Sequence, residues 1–131
     1  MNQDRKIIFY GKYFMEFYIL QTLKVQEKID FVLKIVRAVE RIPKTYFKHL
    51  TGTEGTYEIR IDSEGNIFRI FCCFDEGNLV ILFNSFHKKT PKTPSKEIAK
   101  VEILKGQYFN EKNIKEKTII KTKKNEERKR K

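Results

Sequence analysis

The chain has 131 residues, with 28 Lys and Arg against 17 Asp and Glu, a formal net charge of +11, and two cysteines. That length allows one domain with a real core and little room for two, no window approaches the roughly 18 apolar residues of a spanning helix, the adjacent Cys72 and Cys73 offer neither a disulfide framework nor zinc-ligand spacing, and the polar start, Met1 to Lys6, lacks the apolar stretch of a secretory signal. The expectation is a small basic cytoplasmic protein without a membrane partner, whose charge raises nucleic acid as a partner but does not establish one.

In chain order, the apolar run Ile7-Ile8-Phe9-Tyr10 before Gly11 reads as a first strand. Tyr13 to Leu23 carries Phe14, Phe17, Tyr18 and Gln21 at helical spacing. Val25 to Arg41 is a second helix, with Val25, Ile29, Val32, Val36 and Val39 on one stripe and Phe31, Ile35, Ala38 and Ile42 beside it; Pro43 ends it. Two short amphipathic helices in succession most easily form a hairpin packed on a sheet. The period then shifts to two in Thr56–Ile61, Ile67–Phe74 and Leu79–Phe86, separated by Asp62-Ser63-Glu64-Gly65-Asn66 and Asp75-Glu76-Gly77-Asn78. This predicts an antiparallel meander. Lys92 to Gln107 reads as a final helix, with Pro94-Ser95 as its start.

The charge is uneven. Residues 110–131 hold 10 basic and 4 acidic residues, a net +6, and residues 1–109 hold the other +5. Beyond Asn110 only Ile114, Ile119 and Ile120 are apolar. Such a segment buries too little to offset its ordering entropy, so residues 110–131 are expected to be a basic tail, disordered or a frayed helix, beyond a single domain, residues 1–109. It serves either solubility or attraction to nucleic acid.

Placing Ile61 opposite Phe68 puts Tyr57, Ile59, Ile61, Phe68, Ile70, Cys72 and Phe74 on one core face. Glu58, Arg60, Arg69, Phe71 and Cys73 then share the other face, with Arg60 across from Arg69. Like charges directly opposite cost stability, so an anion or a carboxylate is expected between them. Placing Phe74 opposite Leu79 brings Asn84 beside Arg69, and His87, Lys88 and Lys89 follow at the rim. The alternative is a solvated face neutralised by Glu58 and nearby acids. Cys72 reads as core.

These same residues resemble a known family. Tyr57-Glu58-Ile59-Arg60, Phe68-Arg69-Ile70-Phe71, the run Phe86-His87-Lys88-Lys89-Thr90-Pro91-Lys92-Thr93-Pro94, and Glu97-Ile98 are similar to the RelE/ParE superfamily of type II toxin–antitoxin toxins, and most to its HigB branch. Phe47-Lys48-His49-Leu50 and Gly55 fit as well, and the likeness spans roughly residues 6–109 in order and spacing. It implies an α+β, RelE-like fold, with an N-terminal strand and a helical hairpin packed on a curved antiparallel sheet, followed by a C-terminal helix. It implies endonucleolytic cleavage of mRNA, at the ribosome in many members, and silencing by a cognate antitoxin, often of helix-turn-helix type. ParE relatives instead inhibit DNA gyrase, and an inactive RNA-binding module is a further alternative.

Cleavage of this kind uses the substrate's own 2′-OH and calls for no cofactor or metal. By the resemblance, Arg69 stabilises the pentacovalent phosphate and Arg60 is a second clamp. Lys88 and Lys89 stabilise the phosphate or move a proton. Glu58, where the RelE pattern has a lysine, is either a general base or a charge partner of the arginines. His87 is a candidate acid or base. Lys48, Asn84, Lys92 and Lys96 are expected RNA contacts. His49 reads as a packing or surface residue. No tyrosine matches the C-terminal catalytic tyrosine of RelE, and the general base stays unassigned.

Overall fold

The computed structural model describes residues 4–130, with side chains through Glu126. Residues 1–3 and 131, which belong to the expected domain and tail, lie outside the described residues. The elements are β1 (Lys6–Phe9), α1 (Tyr13–Ile19), α2 (Leu23–Ala38), β2 (Phe47–His49), β3 (Thr56–Ser63), β4 (Asn66–Asp75), β5 (Leu79–Lys88) and α3 (Ser95–Arg130). The strands form one sheet in the order β1-β5-β4-β3-β2. The architecture is the α+β, RelE-like one expected from the sequence, with one refinement: β1 pairs parallel to β5, so the sheet is mixed.

The four-three-four stripe of α2 becomes the core. Val25, Ile29, Val32 and Val36 are buried with Phe14 of α1 against Ile59, Ile61, Phe68, Ile70, Cys72, Val80 and Leu82. The second stripe does so only in part: Ile42 packs against the core, Phe31 is half exposed and Ala38 lies in solvent, as does much of Val39 at the end of the first stripe. Thr22 sets the start of α2, its hydroxyl accepting from the Val25 N–H at 3.3 Å. That cap moves the break between the helices ahead of Leu23, and α2 ends at Ala38 rather than Arg41.

The β3–β4 turn uses Glu64 and Gly65, both at positive φ (51° and 79°), between paired Ser63 and Asn66. Two such residues match the strand twist, and this two-residue turn fixes the register. Ile61 therefore faces Phe68 and Arg60 faces Arg69, as expected. The expected β4–β5 register does not occur. Phe74 pairs with Val80, and beyond an irregularity between Ile70 and Cys72 the pairing becomes Ile70 with Ser85 and Arg69 with Phe86. An extra β5 residue at Phe83-Asn84 makes this a bulge, which re-aims every side chain after it.

On the other sheet face a second core packs Phe71, Cys73, Ile81 and Phe83 under Val101 and Leu104 of α3. Both cysteines are thus packing residues, and burial pushes both thiols up, Cys73 to about 12. Side chains fix α3 in place: Tyr108 donates to Asp75 Oδ2 at 2.6 Å, Lys112 to Asp75 Oδ1 at 2.9 Å, and Tyr10 to Glu111 Oε1 at 2.7 Å.

Beyond Asn110 the chain stays helical, as α3 continues to Arg130. After Gly106 the segment has no Gly or Pro, and its lysines and glutamates are good helix formers. Its low apolar content shows instead in exposure, since residues 113–126 are all exposed. Among the described residues, no helix is long and apolar enough to cross a membrane.

Candidate functional site

One end of the α3-side sheet face carries the charge. Strand alternation puts Glu58 and Arg60 on that face of β3 and Arg69 on that face of β4. Arg60 and Arg69 are a directly paired couple. The Glu58 carboxylate lies between them, Oε1 3.6 Å from Arg60 Nε and Oε2 3.7 Å from Arg69 Nε. These are ion-pair distances, too long for hydrogen bonds. Glu58 Oε2 and Arg69 Nε are both buried without a hydrogen-bond partner among the described residues. Arg69 also approaches Asp62 Oδ1 at 3.8 Å and donates to the Phe68 carbonyl at 3.1 Å.

Arg69 is 3% exposed, and burial lowers its guanidinium below the ordinary arginine value while Glu58 opposes that shift. Arg60 keeps about a third of its side chain in solvent. The couple therefore has an inner and an outer member. Lys48 faces Glu58 from β2. Lys88, two residues past Phe86 on β5, completes the row across four strands. Burial lowers the Lys88 ammonium first, and Arg69, Arg60 and Lys48 push it the same way against Glu58. Phe86 stands opposite Arg69 and packs edge-on against Phe71 at 5.2 Å, giving the cluster an apolar wall. Cations held together with one shared carboxylate leave donors for an oxyanion.

The remaining expected residues lie apart from this cluster. Asn84 does not lie beside Arg69. It is buried and donates to the Glu97 carbonyl at 3.1 Å and to Glu97 Oε1 at 3.2 Å, which ties β5 to α3. His87 points to the opposite face, where it stacks on Phe68 at 4.7 Å. Lys89, Lys92 and Lys96 are exposed, following β5 through the loop into the first turn of α3. His49 is exposed, its Nε2 2.9 Å from the Thr53 carbonyl. Asp62, part of a turn cluster in the sequence, joins the site from the end of β3. Its signal was the alternation Glu58, Arg60, Asp62 on one face.

Two comparisons bear on the chain. The family model described as "Phage derived protein Gp49-like (DUF891)" matches residues 20–105, which spans α2 through the first turns of α3 and so the whole charged cluster. No curated protein matches the chain.

Proposed function

Since the chain belongs to the Gp49-like family of phage-derived proteins, a RelE/toxin-like family, we propose that it is the toxin of a type II toxin–antitoxin pair, of HigB-like type, and that it cleaves mRNA as an endoribonuclease. The observation that carries this reading is the pairing of Arg60 with Arg69 around Glu58 on one sheet face, with Lys88 beside them and Arg60 partly exposed.

In this reading the substrate's 2′-OH attacks the adjacent phosphorus and gives its proton to solvent water, the P–O bond to the 5′-oxygen breaks, and a 2′,3′-cyclic phosphate forms. The phosphorane gains negative charge on its equatorial oxygens. Arg69 and Arg60 stand ready to meet that charge, already oriented, and preorganised donors of this kind are worth about 10²–10³ in rate each. Glu58, within ion-pair distance of both, holds the two guanidiniums apart and aimed. Lys88 delivers the proton to the departing 5′-oxygen; its lowered ammonium pKa favours that transfer. Phe86 supplies an apolar surface for a neighbouring base.

The partners of this reading are mRNA, on the ribosome or free, and a cognate antitoxin. Primer extension on cellular mRNA after induction tests it. Cuts within coding sequence that vanish with Arg69→Ala are the expected result. Growth arrest with intact mRNA overturns it, and trapped cleaved DNA would point to gyrase instead.

A further inference from the structure

The last side chains that anchor α3 to the sheet are Glu111, which meets Tyr10, and Lys112, which meets Asp75. The helix then runs on to Arg130, and residues 113–126 are all exposed. The match to the family model ends at residue 105, so this extension lies outside it. It leaves the sheet at the Asp75 end of β4, about 20 Å along the strand from Arg69.

The lysines of the extension are sorted by side. At 3.6 residues per turn, Lys117, Lys121 and Lys124 fall within about 60° of one another, in a row about 10 Å long. Glu116 and Glu126 fall outside that row. At three and four residues to either side, Lys117 and Lys121 meet only Asn, Ile, Thr and Lys. Lys115 and Lys123, off the row, have Glu111 and Glu126 at helical pairing distance. The row lysines have no ion-pair partner among the described residues. Like charges at this spacing destabilise a helix. The helix dipole does not compensate, since it favours cations only in the last turn, and Lys121 lies more than two turns before Arg130.

Such a row calls for an anion outside the chain. We propose that this face of α3 is a second nucleic-acid contact, separate from the charged cluster, which lies along the phosphates of an RNA double helix without reading its sequence. Residues 110–131 include no aromatic side chain on which unpaired bases could stack, so a duplex suits the row better than a single strand. Ile114, Ile119 and Ile120 lie about 100° or more apart around the helix, so they form no apolar face for a membrane or a partner helix. A second copy brings the same positive row. The choice of RNA over DNA rests on the nuclease reading; the contact with duplex phosphates does not.

The test compares two double variants of the full chain that remove equal charge, Lys117→Gln/Lys121→Gln from the row and Lys115→Gln/Lys123→Gln beside it. Glutamine is a good helix former, so both should keep the helical signal and melting temperature of the parent. The probe is a 2′-O-methyl RNA duplex of about 16 bp, long enough for a backbone contact and closed to 2′-OH attack. Its binding is followed by fluorescence anisotropy between about 50 and 200 mM salt. The row variant is expected to bind about tenfold more weakly at the low end and to lower the salt slope by about 1.5–2. The other pair should leave the slope nearly unchanged. Equal losses in the two variants, which would reduce the effect to net charge, overturn the proposal, as does a row variant that binds like the parent. A larger effect of the row variant on single-stranded RNA, or on a DNA duplex of the same sequence, also overturns it. Cleavage does not enter this readout, so a failure of the nuclease reading shows separately, as intact mRNA after induction.

Discussion

Arg60 and Arg69 stand directly opposite each other on β3 and β4, and one carboxylate, that of Glu58, reaches the Nε of both, at 3.6 and 3.7 Å. A like-charge pair across strands is unfavourable, and the carboxylate offsets part of the repulsion without closing a hydrogen bond. Removing it should expose the cost. Glu58→Gln is expected to lower stability by about 1–3 kcal/mol, and millimolar inorganic phosphate should restore part of that loss by binding the native cations. Thermal denaturation with and without phosphate measures both. A Glu58→Gln protein as stable as the parent in buffer alone would show that Glu58 does not hold the couple together.

Arg69 is the inner member, nearly covered by the sheet face, and its donors are fixed before any substrate arrives. Arg69→Ala should reduce RNA cleavage by about 10²–10³. Arg69→Lys should recover little of it, because an ammonium cannot reproduce the planar fork. Arg60 has a third of its side chain in water, so Arg60→Ala should cost less. Single-turnover cleavage of a short RNA, alongside a melting curve for each variant, separates chemistry from folding. Equal losses at the two positions would contradict the inner and outer assignment.

Lys88 gives a pH signature. Burial and the neighbouring cations hold its ammonium below the ordinary lysine value. As the acid that protonates the leaving oxygen, it must be charged, so activity should fall on the alkaline side at a pH below that of a free lysine. Lys88→Arg should move or abolish that alkaline limb, since a guanidinium does not titrate in range. The stability effect has the opposite sense. A cation with a lowered folded pKa weakens the fold while charged, and this penalty fades as pH rises through the folded value toward the unfolded one. A pH–rate profile unchanged in Lys88→Arg would remove Lys88 from proton transfer.

What was legible in the sequence follows from how locally it is encoded. The Arg60–Arg69 pairing could be read because two alternating runs flank a short turn with Glu64-Gly65 at its tip. The α2 core stripe could be read because Val25, Ile29, Val32 and Val36 keep helical spacing throughout. The bulge at Phe83-Asn84 could not, because neither residue is Gly or Pro and the extra residue is set by Asn84 reaching Glu97 on α3, a contact distant in sequence. Together with the one-residue offset at the hairpin, where Phe74 pairs with Val80 rather than Leu79, it puts Phe86 instead of Asn84 opposite Arg69. β2 is three residues long and leaves no periodicity to detect, so Lys48 entered only through resemblance. The parallel pairing of β1 likewise depends on a partner about seventy residues away.

Asp75 should govern part of the acid stability. Burial pushes its carboxyl up, but hydrogen bonds from Tyr108, Lys112 and the Glu76 N–H outweigh burial and hold it below the ordinary aspartate value. A depressed carboxylate stabilises the fold fully above its unfolded pKa, and that contribution is lost as pH falls through the folded value. Asp75→Asn should therefore lower stability at neutral pH by about 1–3 kcal/mol and flatten the dependence of melting temperature on pH below about 4. An acid limb identical to that of the parent would show that other carboxylates control it.

The same three-residue clamp decides where the chain can be shortened. From the sequence, everything after Phe109 looked dispensable. In the structure the anchoring contacts reach further, to Glu111 under Tyr10 and Lys112 on Asp75, and residues 113–126 are exposed. A chain ending at Asn113 should melt within about 2 °C of the full protein, since only exposed helix is removed. A chain ending at Gln107 loses the half-buried Tyr108 and Phe109 and leaves Asp75 without its two side-chain donors. That loss should cost about 3 kcal/mol or more, on the order of 10 °C in melting temperature. A chain ending at Phe109 keeps the Tyr108 bond and loses Lys112, so it should fall between the two. If all three truncations melt alike, α3 is held by Val101 and Leu104 alone and the Asp75 clamp contributes nothing to the fold.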